Sequence, residues 1–112
     1  MNIPSYISYV SQAEPGVLSQ AEADQLARIF KALGDPGRLV LVSVLAREEL
    51  CVHEIAERLG REQSAVSHQL RVLRDRQLVR TRREGRHIYY ALADGHVRDL
   101  FEVAVEHVRE EE

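Results

Sequence analysis

Residues 62–74 read Glu62-Gln63-Ser64-Ala65-Val66-Ser67-His68-Gln69-Leu70-Arg71-Val72-Leu73-Arg74. Val66, Leu70 and Leu73 recur at i, i+4 and i+7, the spacing of one helix face. Gln63, Ser64, Ser67, His68 and Arg71 fall on the opposite side. They carry short or forked hydrogen-bonding groups, the kind that meets base edges and phosphates in a DNA groove. A helix over residues 63–76 thus turns one face to a core and the other to a polar ligand. Ser64 has a second reading, as the N-cap of that helix.

Working outward, residues 52–59 predict a short helix that stops at Gly60, one tight turn before the first. Residues 78–83 and 87–92 are β-rich and are separated by Glu84-Gly85-Arg86, which predicts a β-hairpin. Helix, turn, helix and hairpin is the order of a winged helix-turn-helix, in which the second helix of the pair enters the major groove. Arg82, Arg83, Arg86 and His87 near the hairpin tip make a cationic wing, suited to phosphates or a minor groove. The same arginines have a plainer reading as a solvated surface.

Upstream, Ser19-Gln-Ala-Glu22 is a capping box that opens a helix with Leu26, Ile29, Phe30 and Leu33 on one face. Gly34 ends it, and Asp35-Pro36 supplies an N-cap and a first-turn proline for the next helix. That helix runs through Leu39, Val42, Val44 and Leu45 and is apolar enough to be the buried centre of the domain. A last helix is expected over 95–109. The fold class is mainly α with a small β-hairpin. Residues 1–17 read as an N-terminal arm with a short helix around 6–12, and residues 18–112 as one domain.

At 112 residues with 45% apolar content, the chain suits a single small globular domain. It has no apolar run of the ~20 residues that a membrane span needs. Its first residues lack the charged and apolar regions of a signal peptide, so a cytoplasmic location is expected. One cysteine, Cys51, leaves no internal disulfide. The net charge of −3 hides an asymmetry. Residues 58–86 hold nine arginines against three acids, and residues 94–112 hold seven acids against two arginines. A basic middle suits phosphate, and the acidic end suggests a separate task. There is no glycine-rich phosphate loop and no nucleophile–base pair at a recognisable spacing, so no enzyme activity is expected.

The last helix carries Asp94 and His96 at one end and His107 and Glu110 at the other. Eleven residues return to nearly the same helix face but travel about 16 Å along the axis. Zinc–nitrogen bonds are about 2 Å long, so one helix cannot bring all four groups to one ion. Two antiparallel copies can, and symmetry then makes two sites. Val97, Leu100, Phe101, Ala104 and Val108 form an apolar stripe beside them. Two nitrogens and two carboxylates suit Zn(II) and also accept Co(II). Each residue has an ordinary alternative: Asp94 as an N-cap, His96 as a polar first-turn residue, Glu110 as part of a solvated tail.

The 62–74 run, with Gly85-Arg-His-Ile-Tyr-Tyr90, Leu33-Gly-Asp-Pro-Gly-Arg-Leu39 and Glu49-Leu-Cys-Val52, resembles the ArsR/SmtB family of bacterial metal-sensing repressors. The likeness runs from about residue 20 to the end. It implies a homodimer joined through its first and last helices. It also implies a near-palindromic double-stranded operator that is released when the ligand binds. Asp94, His96, His107 and Glu110 match, residue for residue, the last-helix site of the family's zinc-sensing branch. The expectation is a zinc-responsive repressor with two Zn(II) per dimer, in which His107 also couples metal to DNA. Where the family's thiolate sensors place Cys-x-Cys, this chain has Cys51-Val52-His53 followed by Glu54, so these three form at most a secondary metal set. The N-terminal histidines that nickel sensors recruit are missing. A repressor sensing Co, Ni or Cd, or a thiol-reactive signal at Cys51, remains the alternative.

Overall fold

Capping groups set where the helices begin. The Glu22 carboxylate accepts the Ser19 backbone N–H at 2.9 Å, and the Ser19 hydroxyl accepts the Glu22 N–H at 3.2 Å. This reciprocal box opens α1 (Gln20–Leu33). Asp35 caps α2 (Pro36–Leu45) by accepting the Arg38 N–H at 2.9 Å, with Pro36 in the first turn. In chain order there follow β1 (Leu50–Cys51), α3 (Val52–Leu59), α4 (Gln63–Asp75), β2 (Val79–Glu84), β3 (His87–Leu92) and α5 (Gly95–Glu110). This computed structural model describes residues 14–110. The helix expected around 6–12 and the terminal Glu111 and Glu112 lie outside the described residues.

The chain divides into two compact units, with the division between Lys31 and Ala32. The first contains most of α1, on which Leu26 and Phe30 are exposed. In the second, three helices bury one core. Leu41, Val42 and Leu45 of α2, Ile55 of α3, and Val66, Leu70 and Leu73 of α4 are no more than 1% exposed. The expected apolar face of α4 is therefore the innermost surface of the unit. Of the residues expected to make α2 the buried centre, only Val42 and Leu45 are buried, and Leu39 is not. The helix is buried on one side only, and Leu39 and Val40 stay 38% and 40% exposed. Its uniformly apolar sequence hid the fact that it has two apolar faces with different surroundings.

The sheet is antiparallel with strand order β1-β3-β2. The hairpin turns at Gly85 (φ 62°), and Glu84 pairs with His87 across a two-residue loop, shorter than the three residues expected. The strand β1 was not anticipated. Its two residues pair Leu50 with Tyr90 and Cys51 with Tyr89, and two residues are too few for a periodic signal. The last helix, α5, has no buried residue.

Leu70→Ala removes a fully buried side chain from the centre of α4. It is expected to cost about 2–5 kcal/mol in urea unfolding, whereas Leu39→Ala should cost far less.

Candidate nucleic-acid interface and metal centre

The turn between α3 and α4 is built by Gly60, whose φ of 64° lies in the left-handed region. Its N–H donates to the Glu57 carbonyl at 3.3 Å and the Arg61 N–H donates to the Ala56 carbonyl at 3.0 Å. This closes α3 in a Schellman turn and aims the chain into α4. Glu62, not Ser64, occupies the N-cap of α4. Ser64 lies inside the first turn, exposed together with Gln63, Ser67, His68 and Arg71. The structure therefore brings all five expected α4 residues to one solvent-facing edge. Gln63 Nε2 lies 3.2 Å from His53 Nδ1, and His53 Nε2 lies 3.5 Å from the Glu57 carboxylate.

A polar cluster holds the inner flank of α4, and the sequence reading missed it. Gln69 Nε2 donates to Asp35 Oδ2 at 3.3 Å, and Gln69 Oε1 accepts from Arg38 Nη1 at 3.0 Å. Arg38 Nε donates to the Ala32 carbonyl at 2.6 Å, and Arg61 Nη1 donates to the Gly37 carbonyl at 3.1 Å. A Cβ on Gly37 would come within 3.2 Å of both Asp35 and Gln69, so glycine lets the cluster close. The signal available in the sequence was the spacing of Asp35 and Arg38 around Pro36. The Arg38 N–H, more than the nearby guanidinium, holds the Asp35 carboxyl below the ordinary carboxylate range.

On the wing, Arg83, Arg86 and His87 are exposed. Arg82 is engaged differently. Its Nε and Nη2 donate to Glu49 Oε1 at 2.9 and 2.7 Å, its Nη1 donates to Glu84 Oε2 at 2.6 Å, and its guanidinium lies 4.9 Å from the centre of the Tyr89 ring.

Asp94 caps α5, accepting the Val97 N–H at 3.0 Å, and its other oxygen lies 3.9 Å from His96 Nδ1. His96, His107 and Glu110 are exposed. Among the described residues no three His, Cys, Asp or Glu side chains gather into a metal-sized cluster within the chain. Cys51 is buried at the N-cap of α3, where its N–H donates to Glu54 at 3.0 Å. That bond holds the Glu54 carboxyl below its ordinary range. His53 turns to Glu57 and Gln63 instead, so Cys51, His53 and Glu54 do not converge. Beside α5, Leu39 and Val40 of α2 line an apolar groove with Phe101, Ala104, Val105 and Val108.

A braced helix with an exposed polar edge, followed by a basic hairpin, defines a winged helix-turn-helix regulator. The chain belongs to the ArsR family: residues 35–81 match the "Bacterial regulatory protein, arsR family". It is 49% identical over 105 residues to the transcriptional repressor SmtB homolog of Synechocystis sp., covering 94% of this chain and 80% of that one. It is 38% identical over 102 residues to the cadmium resistance transcriptional regulatory protein CadC homolog of Staphylococcus aureus, covering 90% and 84%. Its fold matches the homodimeric winged helix-turn-helix DNA-binding domain of Mb0332 from Mycobacterium bovis with a TM-score of 0.76. That match has 36% identity and covers 86% of this chain and 91% of that one. The family is one of transcriptional regulators, a repressor and a cadmium-resistance regulatory protein among these relatives, and not of enzymes. Among the described residues no helix is long and apolar enough to cross a membrane.

A lowered folded-state pKa makes Asp35 stabilising above its unfolded value, and the contribution disappears as pH falls through the folded value. Asp35→Asn should therefore be less stable than wild type at neutral pH. The difference in urea midpoint should shrink steadily below about pH 4; a pH-independent difference would contradict the assignment.

Proposed function

We propose that the chain is a metal-responsive repressor that holds operator DNA as a homodimer when metal-free and leaves it when Zn(II) binds between the two α5 helices. The observation that carries this is α5 itself. It has no buried residue in the single chain, with Val103 and Val108 more than 60% exposed, and it bears donors at its two ends. Leu100, Val103 and Val108 exposed on a charged helix make a surface that asks for a partner helix. Antiparallel pairing with a second copy covers that surface. It also brings Asp94 and His96 of one chain beside His107 and Glu110 of the other, twice by symmetry.

Two imidazoles and two carboxylates form a closed donor set that fits Zn(II), with Co(II) as a substitute. When bound, the metal supplies a cross-link between the helices. Asp94 both caps its helix and offers an oxygen, and the exposure of His96, His107 and Glu110 leaves them accessible to a facing helix. Gln63, Ser64, Ser67, His68 and Arg71 of α4 then face the major groove of the operator, and Arg83, Arg86 and His87 of the wing face its backbone. The cytoplasm is where such a protein meets its DNA. Cys51, His53 and Glu54 have no part in this account, because the cap of α3 and the His53–Glu57 pair already engage them.

The test is a metal titration of the dimer on a duplex recovered by in vitro selection. Two Zn(II) per dimer should weaken binding by up to about 150-fold, a coupling near 3 kcal/mol. His107→Ala should still bind the duplex but no longer let go. Zinc releasing His107→Ala as readily as wild type would contradict the proposal.

A further inference from the structure

Arg82 looks, from its place in the hairpin, like one more phosphate contact. Its surroundings argue otherwise. It sits on β2 directly opposite Tyr89 of β3, and Tyr89 in turn sits opposite Cys51 of β1. The guanidinium therefore lies over the ring of the middle strand and reaches Glu49, the residue just before β1. One side chain spans all three strands, between residues 33 apart in sequence. Glu84, two residues on and so on the same face of β2, closes the cluster from the wing side. Two carboxylates engage the Nε, Nη1 and Nη2 of one guanidinium at once, leaving its donors committed within the sheet, and Arg80 on the same face of β2 also stands near Glu49. Arg83 points to the opposite face of the strand and has no part in the cluster.

We propose that Glu49 and Glu84 withhold Arg82 from DNA. Arg82 is then a positioning residue that fastens the wing to β1, and Arg83 and Arg86 are the wing's phosphate contacts. The two acids limit sequence-independent binding, because each phosphate-paired arginine adds affinity for any duplex. This rests on the DNA-binding reading above. Glu49 and Glu84 are thus specificity-determining residues that never touch the ligand.

The experiment measures binding of the metal-free protein to a duplex of arbitrary sequence by fluorescence anisotropy, from about 50 to 200 mM salt. The slope of log affinity on log salt counts the phosphates neutralised, at about 0.9 per contact. Arg83→Gln should flatten the slope by about one, and Arg82→Gln should leave it unchanged. Glu49→Gln with Glu84→Gln should steepen the slope by about one and tighten non-specific binding several-fold. Adding Arg82→Gln to that pair should return the slope to the wild-type value. Two results overturn the proposal: Arg82→Gln flattening the slope as Arg83→Gln does, or the triple variant keeping the steep slope of the double. If wild type shows no salt-dependent binding, the DNA-binding reading itself fails.

Discussion

The burial of Val66, Leu70 and Leu73 along one edge of α4 is the contact on which the rest of the second unit depends. These side chains fill the space between α2 and α3, and each is worth roughly 1.5–3 kcal/mol of burial. Because they are fixed, the helix cannot roll, and Gln63, Ser64, Ser67, His68 and Arg71 must face out. The Asp35–Arg38–Gln69 cluster pins the flank of the same helix with hydrogen bonds. Hydrophobic packing sets the depth of α4, and the polar cluster sets its rotation. A DNA-reading helix needs both, since a small tilt moves every base-facing group at once.

The helix α5 works under the opposite constraint. It is sixteen residues long and has no fully buried residue; Val97, Phe101 and Val105 are half-buried. One helix cannot fold its two ends onto one ion, so on the proposed reading Asp94 and His96 act with His107 and Glu110 only across two copies. On the proposed reading, dimerisation and metal binding use neighbouring stripes of one helix. Any change that moves one α5 against the other then changes the distance between the two α4 helices that a palindromic site must accommodate.

Much of this was legible in the sequence because it is local. The start of α2 at Asp35-Pro36, the end of α3 at Gly60 and the buried edge of α4 each follow from a cap, a left-handed glycine or a repeat of apolar residues. What was not legible depends on residues far apart. β1 is two residues long and exists only because β3 runs beside it. Gln69 reads as one more polar residue on a DNA-facing helix until Asp35 and Arg38 come to meet it. Arg82 reads as a wing cation until Glu49 reaches it across the sheet. The start of α4 at Gln63 is as expected, and the alternative of Ser64 as its N-cap falls away because Glu62 holds the extended cap conformation without a side-chain bond. Asp94, His96, His107 and Glu110 were singled out as candidate donors by their spacing and by the family likeness, and within the single chain they form no metal-sized cluster among the described residues.

The central claim is that the donor set is completed only between subunits, and a mixed dimer tests it most directly. One variant carries Asp94→Ala with His96→Ala, and the other carries His107→Ala with Glu110→Ala. Each alone should bind no zinc at α5. After unfolding, mixing and refolding, the heterodimer should regain one intact site, seen as tight binding of one Zn(II) per heterodimer. Zinc retained by either variant alone at wild-type affinity, or a mixed dimer that binds none, would contradict the account.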